Sequence, residues 1–313
     1  MKLDAKQLQA FLAAIDNGSF EKAAKTLAIT PSALSQRIHA LEAHLGNPLV
    51  VRGRPCEPTQ LGRRLLLYLR RATVLEEELL NELSGDQDEH LRVVIAANGD
   101  TLATWFFPAL AAIFVSERIL LDVVVDDQDH TYTLLESGQV IACISTRAEP
   151  MRGCLAVPLG SVRYCLVASP AFQARWFPQG LNREAARKAP VFAYSRKDTL
   201  QDHFMQTRFG LRADAYPTHY LALPEARLEA IRRGLGYGMV PHMQLHDSLA
   251  NGTLVDVAPG HFTDVALYWH SWAVQSPRMQ ALSQRSVETA RRTLLVDQAG
   301  AGGEVRPPHS PTL

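Results

Sequence analysis

Cysteine is scarce in this chain of 313 residues: there are four, and no two of them stand in a CxxC spacing. That scarcity excludes a disulfide scaffold, argues against a zinc site and fits a reducing cytoplasm. No uncharged apolar run reaches about 18 residues, so no transmembrane helix is expected. The opening MKLDAKQLQAF has neither a long apolar stretch nor a small-residue cleavage site, so no signal peptide is expected. Net charge is absent too, with 32 Lys/Arg against 32 Asp/Glu. A composition of 47% hydrophobic and 20% charged residues is that of a globular chain, not a disordered or collagen-like one. There is no internal repeat and no P-loop, GxSxG or HExxH. GLGYG at 234–238 resembles a phosphate loop, but it follows a helical pattern and precedes a strand, the wrong order for a dinucleotide fingerprint. His242 and His246 stand at i,i+4 without a convincing third ligand, and they read as solvent-exposed. No enzyme, cofactor or metal is expected.

What charge there is lies unevenly. Residues 1–71 hold eleven Lys/Arg and five Asp/Glu, a surplus of six that the remainder must balance. A basic first quarter on an acidic remainder suggests one module for a polyanion and another for something else. Leu8, Phe11, Leu12 and Ile15 share one helical face, Gly18-Ser19 interrupts it, and Phe20, Ala23, Ala24 and Leu27 give a second short helix. Thr30-Pro31 opens a third, a hydroxyl at N-cap and proline at N1, and Gly46 closes it. LVVRGRPCEPT then reads as a two-stranded wing.

The third helix has two faces. Leu34, Ile38, Leu41 and Leu45 form its buried stripe, which leaves Ser32, Ser35, Gln36 and His39 facing away, with Arg37 flanking. Short polar groups, an amide and a guanidinium suit a major-groove reader: Gln pairs with adenine, Arg with guanine, Ser with phosphates or base edges. Thr30 and the helix N-terminus can hold a phosphate, and Arg52, Arg54, Arg63 and Arg64 supply further backbone contacts. The expected partner is duplex DNA.

From Thr59 to about Leu83, Leu61, Leu65, Tyr68, Leu69, Ala72, Leu75, Leu79 and Leu83 recur at steps of three and four, with Glu76, Glu77, Glu78 and Glu82 on the other side. Such a helix needs a partner for its stripe; a second copy of the chain is the simplest candidate, and its own chain the alternative. SGDQDEH (84–90) reads as a polar hinge. Beyond it, strand and helix signals alternate in two sets, LRVVIAAN to VIACIS and YCLVAS to YGMVP, followed by ALYWHSW and a last helix near 277–296. Two α/β lobes of this kind place a ligand cleft between them, at strand C-terminal ends. The tail AGAGGEVRPPHSPTL is Gly/Pro-rich and is expected to be disordered.

These features together resemble the LysR-type transcriptional regulators, over roughly residues 4–297. The resemblance implies an α+β multidomain fold: an N-terminal winged helix-turn-helix (1–58), a long linker and dimerisation helix with hinge (59–88), and a C-terminal two-lobed α/β effector domain like a periplasmic binding protein (89–297). Lobe I is expected at about 89–163 and 267–297, lobe II at about 164–266. Within the family, VVRGRPCEPT, AANGDTLATWF, DDQDHTYTLL, RKDTLQD and ALYWHSW are similar to the branch that senses basic amino acids and activates their export genes. The resemblance further implies a cytoplasmic homodimer or homotetramer, an inverted-repeat operator and contact with RNA polymerase.

Candidate effector residues follow the strand ends. Asn98, Asp100, Thr101 and Thr104 stand at a helix entrance where free N–H groups can take a carboxylate, and Trp105 offers an apolar wall; alternatively Asp100 is a cap and Trp105 core. Asp126, Asp127 and Asp129, with His130, crowd a second strand end, where a lysine ammonium, an arginine guanidinium or solvent would relieve the repulsion. Ser145 closes VIACIS and Thr146 follows it, Asp198 follows VFAYS, and Glu225 opens a helix whose dipole alone would also suit it. Resemblance to the branch favours Asp126, His130, Asp198 and Glu225 as cleft residues, while Lys197 departs from the acidic residue expected there. Two alternatives stay open: a different carboxylate or aromatic effector, and thiol redox sensing. The second is weakened because Cys143 and Cys165 read as core, Cys56 lies in the wing and Cys154 in a loop, none in a recognisably basic setting.

Overall fold

Capped helices build the N-terminal unit. The structure, a computed structural model, describes residues 3–84 and 90–294. Asp4 accepts the N–H groups of Lys6 and Gln7 and starts α1 (Ala5–Asn17), which Gly18 ends in the left-handed region. Ser19 caps α2 (Phe20–Thr26), and Thr30 caps α3 (Pro31–Leu45) with Pro31 at its first position. Ala23 and Ala24 are buried, so the three helices close around Phe11, Leu34, Ile38 and Leu41. Two short strands, β1 (Val50–Val51) and β2 (Glu57–Pro58), pair antiparallel as the wing. The Glu42 carboxylate of α3 accepts the N–H groups of Leu49 and Val50, at 2.8 and 3.3 Å, and ties the wing to the helix.

A single helix, α4 (Gln60–Ser84), leaves this unit. Its start is pressed against the wing: a Cβ on Gly62 would lie 2.1 Å from the Leu49 carbonyl, so only glycine fits. Leu66 and Leu69 complete the winged core, while Leu67 packs on the effector domain. Arg70 pairs with Asp16 at 2.6 Å and also donates to the Gly138 carbonyl; Arg71 lies over the Trp272 ring. The first turns of the stripe are thus satisfied by their own chain, whereas Tyr68, Leu75, Leu79 and Leu80 stay exposed. Residues 85–89 of the expected hinge, and the Gly/Pro-rich tail, lie outside the described residues, as does the Leu83 side chain.

The effector domain is one nine-stranded sheet bent into two lobes. In the first, β3 (Leu91–Ala97) runs parallel to β4 (Ile119–Val125) and β5 (Ala142–Ser145). In the second, β7 (Val191–Ala193) runs parallel to β8 (Thr218–Tyr220) and β9 (Tyr237–Pro241). Two long antiparallel strands, β6 (Cys154–Ala168) and β11 (Phe262–Trp272), cross between the lobes, and β10 (Val255–Asp256) adds to β6. Their pairing slips between Leu267 and Tyr268, opposite Pro158 and Gly160; such a bulge bends the ribbon at the lobe boundary. Cys154, expected in a loop, instead opens β6 and is buried.

Helices cover both faces. The stretch Gly99–Ser116 comprises α5 (Gly99–Thr101), a π-helical turn (Leu102–Phe106) and α6 (Phe107–Ser116). By length and composition it is long and apolar enough to cross a membrane, against the sequence expectation. Here it serves as the core helix of lobe I, burying Trp105, Phe106, Leu110 and Ile113 against the sheet and against α13 (Pro277–Thr293). The remaining helices are α7 (Thr131–Glu136) in lobe I and α8 (Pro170–Trp176), α9 (Arg183–Lys188), α10 (Leu200–Phe209), α11 (Pro224–Arg232) and α12 (His246–Ala250) in lobe II. All cysteines are buried and free. Burial pushes the thiols of Cys56, Cys143, Cys154 and Cys165 up, which disfavours the thiolate a redox sensor needs.

Candidate functional site

Two surfaces carry candidate chemistry. On the first, Thr30 fixes the start of α3 through its hydroxyl, 3.1 Å from the Ala33 N–H. Pro31, Ser32, Gln36 and His39 are exposed, and Ser35 and Arg37 are half-buried at the flanks. From the wing, Arg52 folds back onto the helix: its guanidinium donates to Ser35 Oγ at 3.3 Å, lies 2.6 Å from His39 Nε2 and covers the Phe20 ring. Arg54 is exposed at the wing tip, and Arg63 and Arg64 on the first turn of α4. Helix, wing and linker thus present amide, hydroxyl and guanidinium groups together, the set that contacts base edges and phosphates.

The second surface is the narrow cleft between the lobes. The C-terminal ends of β3 and β4 reach it from one side, and the loop after β7, with α10 and α11, from the other. Asn98 caps α5 through the Thr101 N–H at 3.0 Å and donates to Gln128 at 2.9 Å, joining the two lobe I strand ends. Asp100 lies at the floor. Its Oδ1 accepts from Arg227 of α11 at 2.6 Å and its Oδ2 from the Tyr164 hydroxyl at 3.2 Å. This ion pair joins the lobes and is almost fully buried. Burial pushes the Asp100 carboxyl up, against the pull of the guanidinium and the tyrosine hydroxyl. Removing either partner alone would strand the other charge, at a cost of about 3–5 kcal/mol.

A second bridge runs nearer the mouth. Asp129 accepts from Thr146 of its own lobe at 2.6 Å and from Thr199 of lobe II at 3.0 Å. Asp127 is buried, which raises its carboxyl to about 6, with Asp129 and Asp198 pushing further and the Asp129 N–H and His130 holding it back. Asp198 spends both oxygens on its own loop, accepting the N–H groups of Tyr194 and Leu200. Asp126 accepts the Asp127 N–H at 2.8 Å and acts electrostatically on Tyr194 across the gap.

Of the residues singled out from sequence, Asn98, Asp100, Asp127 and Asp198 line the cleft. Several others do not. Trp105 is core, because the π-helical turn rotates it into the lobe I interior. Thr101 is buried and Thr104 donates to the Asp100 carbonyl, so both are spent inside the helix. Ser145 is buried in β5 and Thr146 is bound to Asp129. His130 precedes α7 outside the lining, and Lys197 is exposed. Glu225 is exposed, since the buried face of α11 is Pro224, Arg227, Leu228 and Ile231, and two helical positions turn Glu225 away from Arg227 by about 200°. Arg227, Tyr164, Gln201 and Gln128 line the cleft without having been foreseen. Only Arg227 carried a signal, its place beside the apolar Leu228 and Ile231.

A winged helix-turn-helix joined by one long helix to a two-lobed sheet defines a regulator that binds DNA and senses a small molecule. Residues 5–63 match the bacterial regulatory helix-turn-helix protein of the lysR family, and residues 84–291 match the LysR substrate binding domain. The chain belongs to the LysR-type transcriptional regulators, and the family is one of regulators and not enzymes. Among its relatives, the HTH-type transcriptional regulator ArgP of Aeromonas salmonicida is 40% identical over 293 residues, which span 93% of this chain and 98% of the relative. The crystal structure of ArgP from Mycobacterium tuberculosis is similar with a TM-score of 0.83 and 40% identity, covering 95% of this chain and 100% of that one. Full-length LysG from Corynebacterium glutamicum with the effector Arg bound is similar with a TM-score of 0.77 and 32% identity, covering 94% and 100%.

Proposed function

We propose that the chain is a cytoplasmic, homo-oligomeric regulator whose effector is a basic amino acid, lysine or arginine, and whose target is an amino-acid exporter gene. Residues 1–58 grip an inverted-repeat operator, 59–88 join copies as a dimer or tetramer, and 89–297 sense the effector and change contact with RNA polymerase. In the winged domain, Gln36 and Arg37 read bases while Ser32, Ser35, His39, Arg52 and Arg54 hold the backbone. The observation that carries the effector reading is the acid-lined cleft: Asp100 and Asp127 from lobe I and Asp198 from lobe II surround one narrow space. Arg227 compensates Asp100, which leaves Asp127 and Asp198 to repel one another unless a further cation enters. The similarity to LysG with arginine bound supports the same class of ligand. Effector binding that favours one lobe arrangement shifts the population of DNA-binding states.

Thermal unfolding in the presence of each of the twenty amino acids tests the reading. Lysine or arginine raises the melting temperature of the full chain and alters its footprint on the promoter of the exporter gene. A rise with acidic or aromatic amino acids alone removes the basic effector and leaves the regulator.

A further inference from the structure

Resting on the reading of the cleft as a basic amino-acid site, we propose that Arg227 and Gln201 of lobe II anchor the effector's carboxylate. The ligand then lies with its carboxylate against lobe II and its cationic side chain against the lobe I acids.

A carboxylate entering an acidic cleft needs a cation. Among the described residues that line this cleft, Arg227 is the only one. Its Nη2 serves Asp100 at 2.6 Å, but its Nη1 reaches only the Leu221 carbonyl, at 3.4 Å. A guanidinium presents five donors in a planar fork, enough to hold two carboxylates at once. Gln201 adds a second, independent pointer. Its Oε1 accepts the Met239 N–H at 3.1 Å, which fixes which way the amide faces, because a backbone donor cannot bond the NH₂ end. The Nε2 is left buried without a hydrogen-bond partner, and Gln201 lines the cleft. A buried donor in that position calls for an acceptor.

Lobe I offers the opposite chemistry. The helix entrance that a carboxylate would seek is already spent, since the Thr101 N–H is bonded to Asn98 and the Thr104 hydroxyl to the Asp100 carbonyl. Asp127 uses Oδ1 for the Asp129 N–H, and among the described residues Oδ2 has no hydrogen bond. Acceptors thus face the cation from lobe I, and donors face the carboxylate from lobe II. The lobes already touch at the cleft floor, where a Cβ on Gly99 would lie 3.0 Å from Pro224.

Titration calorimetry on the full chain tests the orientation, with L-arginine, agmatine (arginine without its carboxylate) and L-citrulline (arginine without its side-chain charge). Arg227→Met is made together with Asp100→Asn so that no buried charge is stranded, and operator binding verifies the fold. In the wild-type chain agmatine binds about 100-fold more weakly than L-arginine, the scale of a charge-assisted pair. In the double variant L-arginine weakens and the gap to agmatine shrinks to about threefold; Gln201→Met weakens L-arginine about tenfold. If L-arginine binds the double variant as tightly as the wild type, or the agmatine gap persists there, the anchor is overturned and the basic effector stands. If L-citrulline binds as tightly as L-arginine with the same dependence on Arg227, the anchor stands and the basic effector falls. If none of the three binds the wild-type chain, both fall.

Discussion

Asp127 ionises late. Burial raises its carboxyl to about 6, and the facing carboxylates of Asp129 and Asp198 add to the burial, while the Asp129 N–H and His130 oppose it. Its folded pKa lies above the unfolded value, so the sign is that of a group that favours folding only when protonated. Its contribution to stability is therefore lost as the pH rises from about 4 through 6. A cationic effector reverses this locally, because it binds the ionised form. Affinity for L-arginine should rise about tenfold between pH 5 and pH 7 and flatten above, with proton release on binding near pH 6. Calorimetry in buffers of different ionisation enthalpy measures both, and Asp127→Asn should abolish the rise. A flat profile in the wild-type chain would remove Asp127 from the ligand's surroundings.

Legibility differs between elements for physical reasons. α3 was legible because its cap, its N1 proline and its apolar stripe all lie in one unbroken stretch, from Thr30 to Leu45. β6 and β11 were legible only in part: Pro158 and Gly160 interrupt the alternation at the bulge, and a strand shared by two lobes changes its buried face where it crosses. In α11 the acidic first turn drew attention to Glu225, while the residue that reaches the cleft is Arg227, whose partner Asp100 is 127 positions away and invisible to local pattern. In α4 the periodicity was plain but its division was not. Leu66 and Leu69 are claimed by the winged domain, whereas Tyr68, Leu75 and Leu79 remain exposed at spacings of seven and four. That spacing suits a second helix. Leu79→Glu should therefore split the oligomer into monomers with little change in the monomer's own melting temperature, as light scattering and thermal unfolding report. An unchanged mass would assign self-association to another surface.

The whole molecule couples two chemistries that composition alone had already separated, a basic front and an acidic remainder. The coupling itself was not legible, because it depends on which side chains of one lobe meet those of the other: Asp100 with Arg227, and Asp129 with Thr199. These bridges hold the two lobes together in the arrangement seen here, and a ligand seated among them would act on the linker through lobe I, where Arg70 and Arg71 of α4 already touch Gly138 and Trp272. A two-fold assembly of such chains must present two copies of α3, and a two-fold axis requires that they face a DNA site with the same symmetry. Hydroxyl-radical footprinting should show protection in paired segments about one helical turn apart on an inverted repeat. Effector should change the distance between the outer protected segments without changing the half-site, since no residue of α3 lines the cleft. Gln36→Ala should weaken the chosen half-site by about 1–3 kcal/mol and leave the effector response intact. Protection of a single asymmetric segment, indifferent to Gln36, would show that α3 does not read the groove.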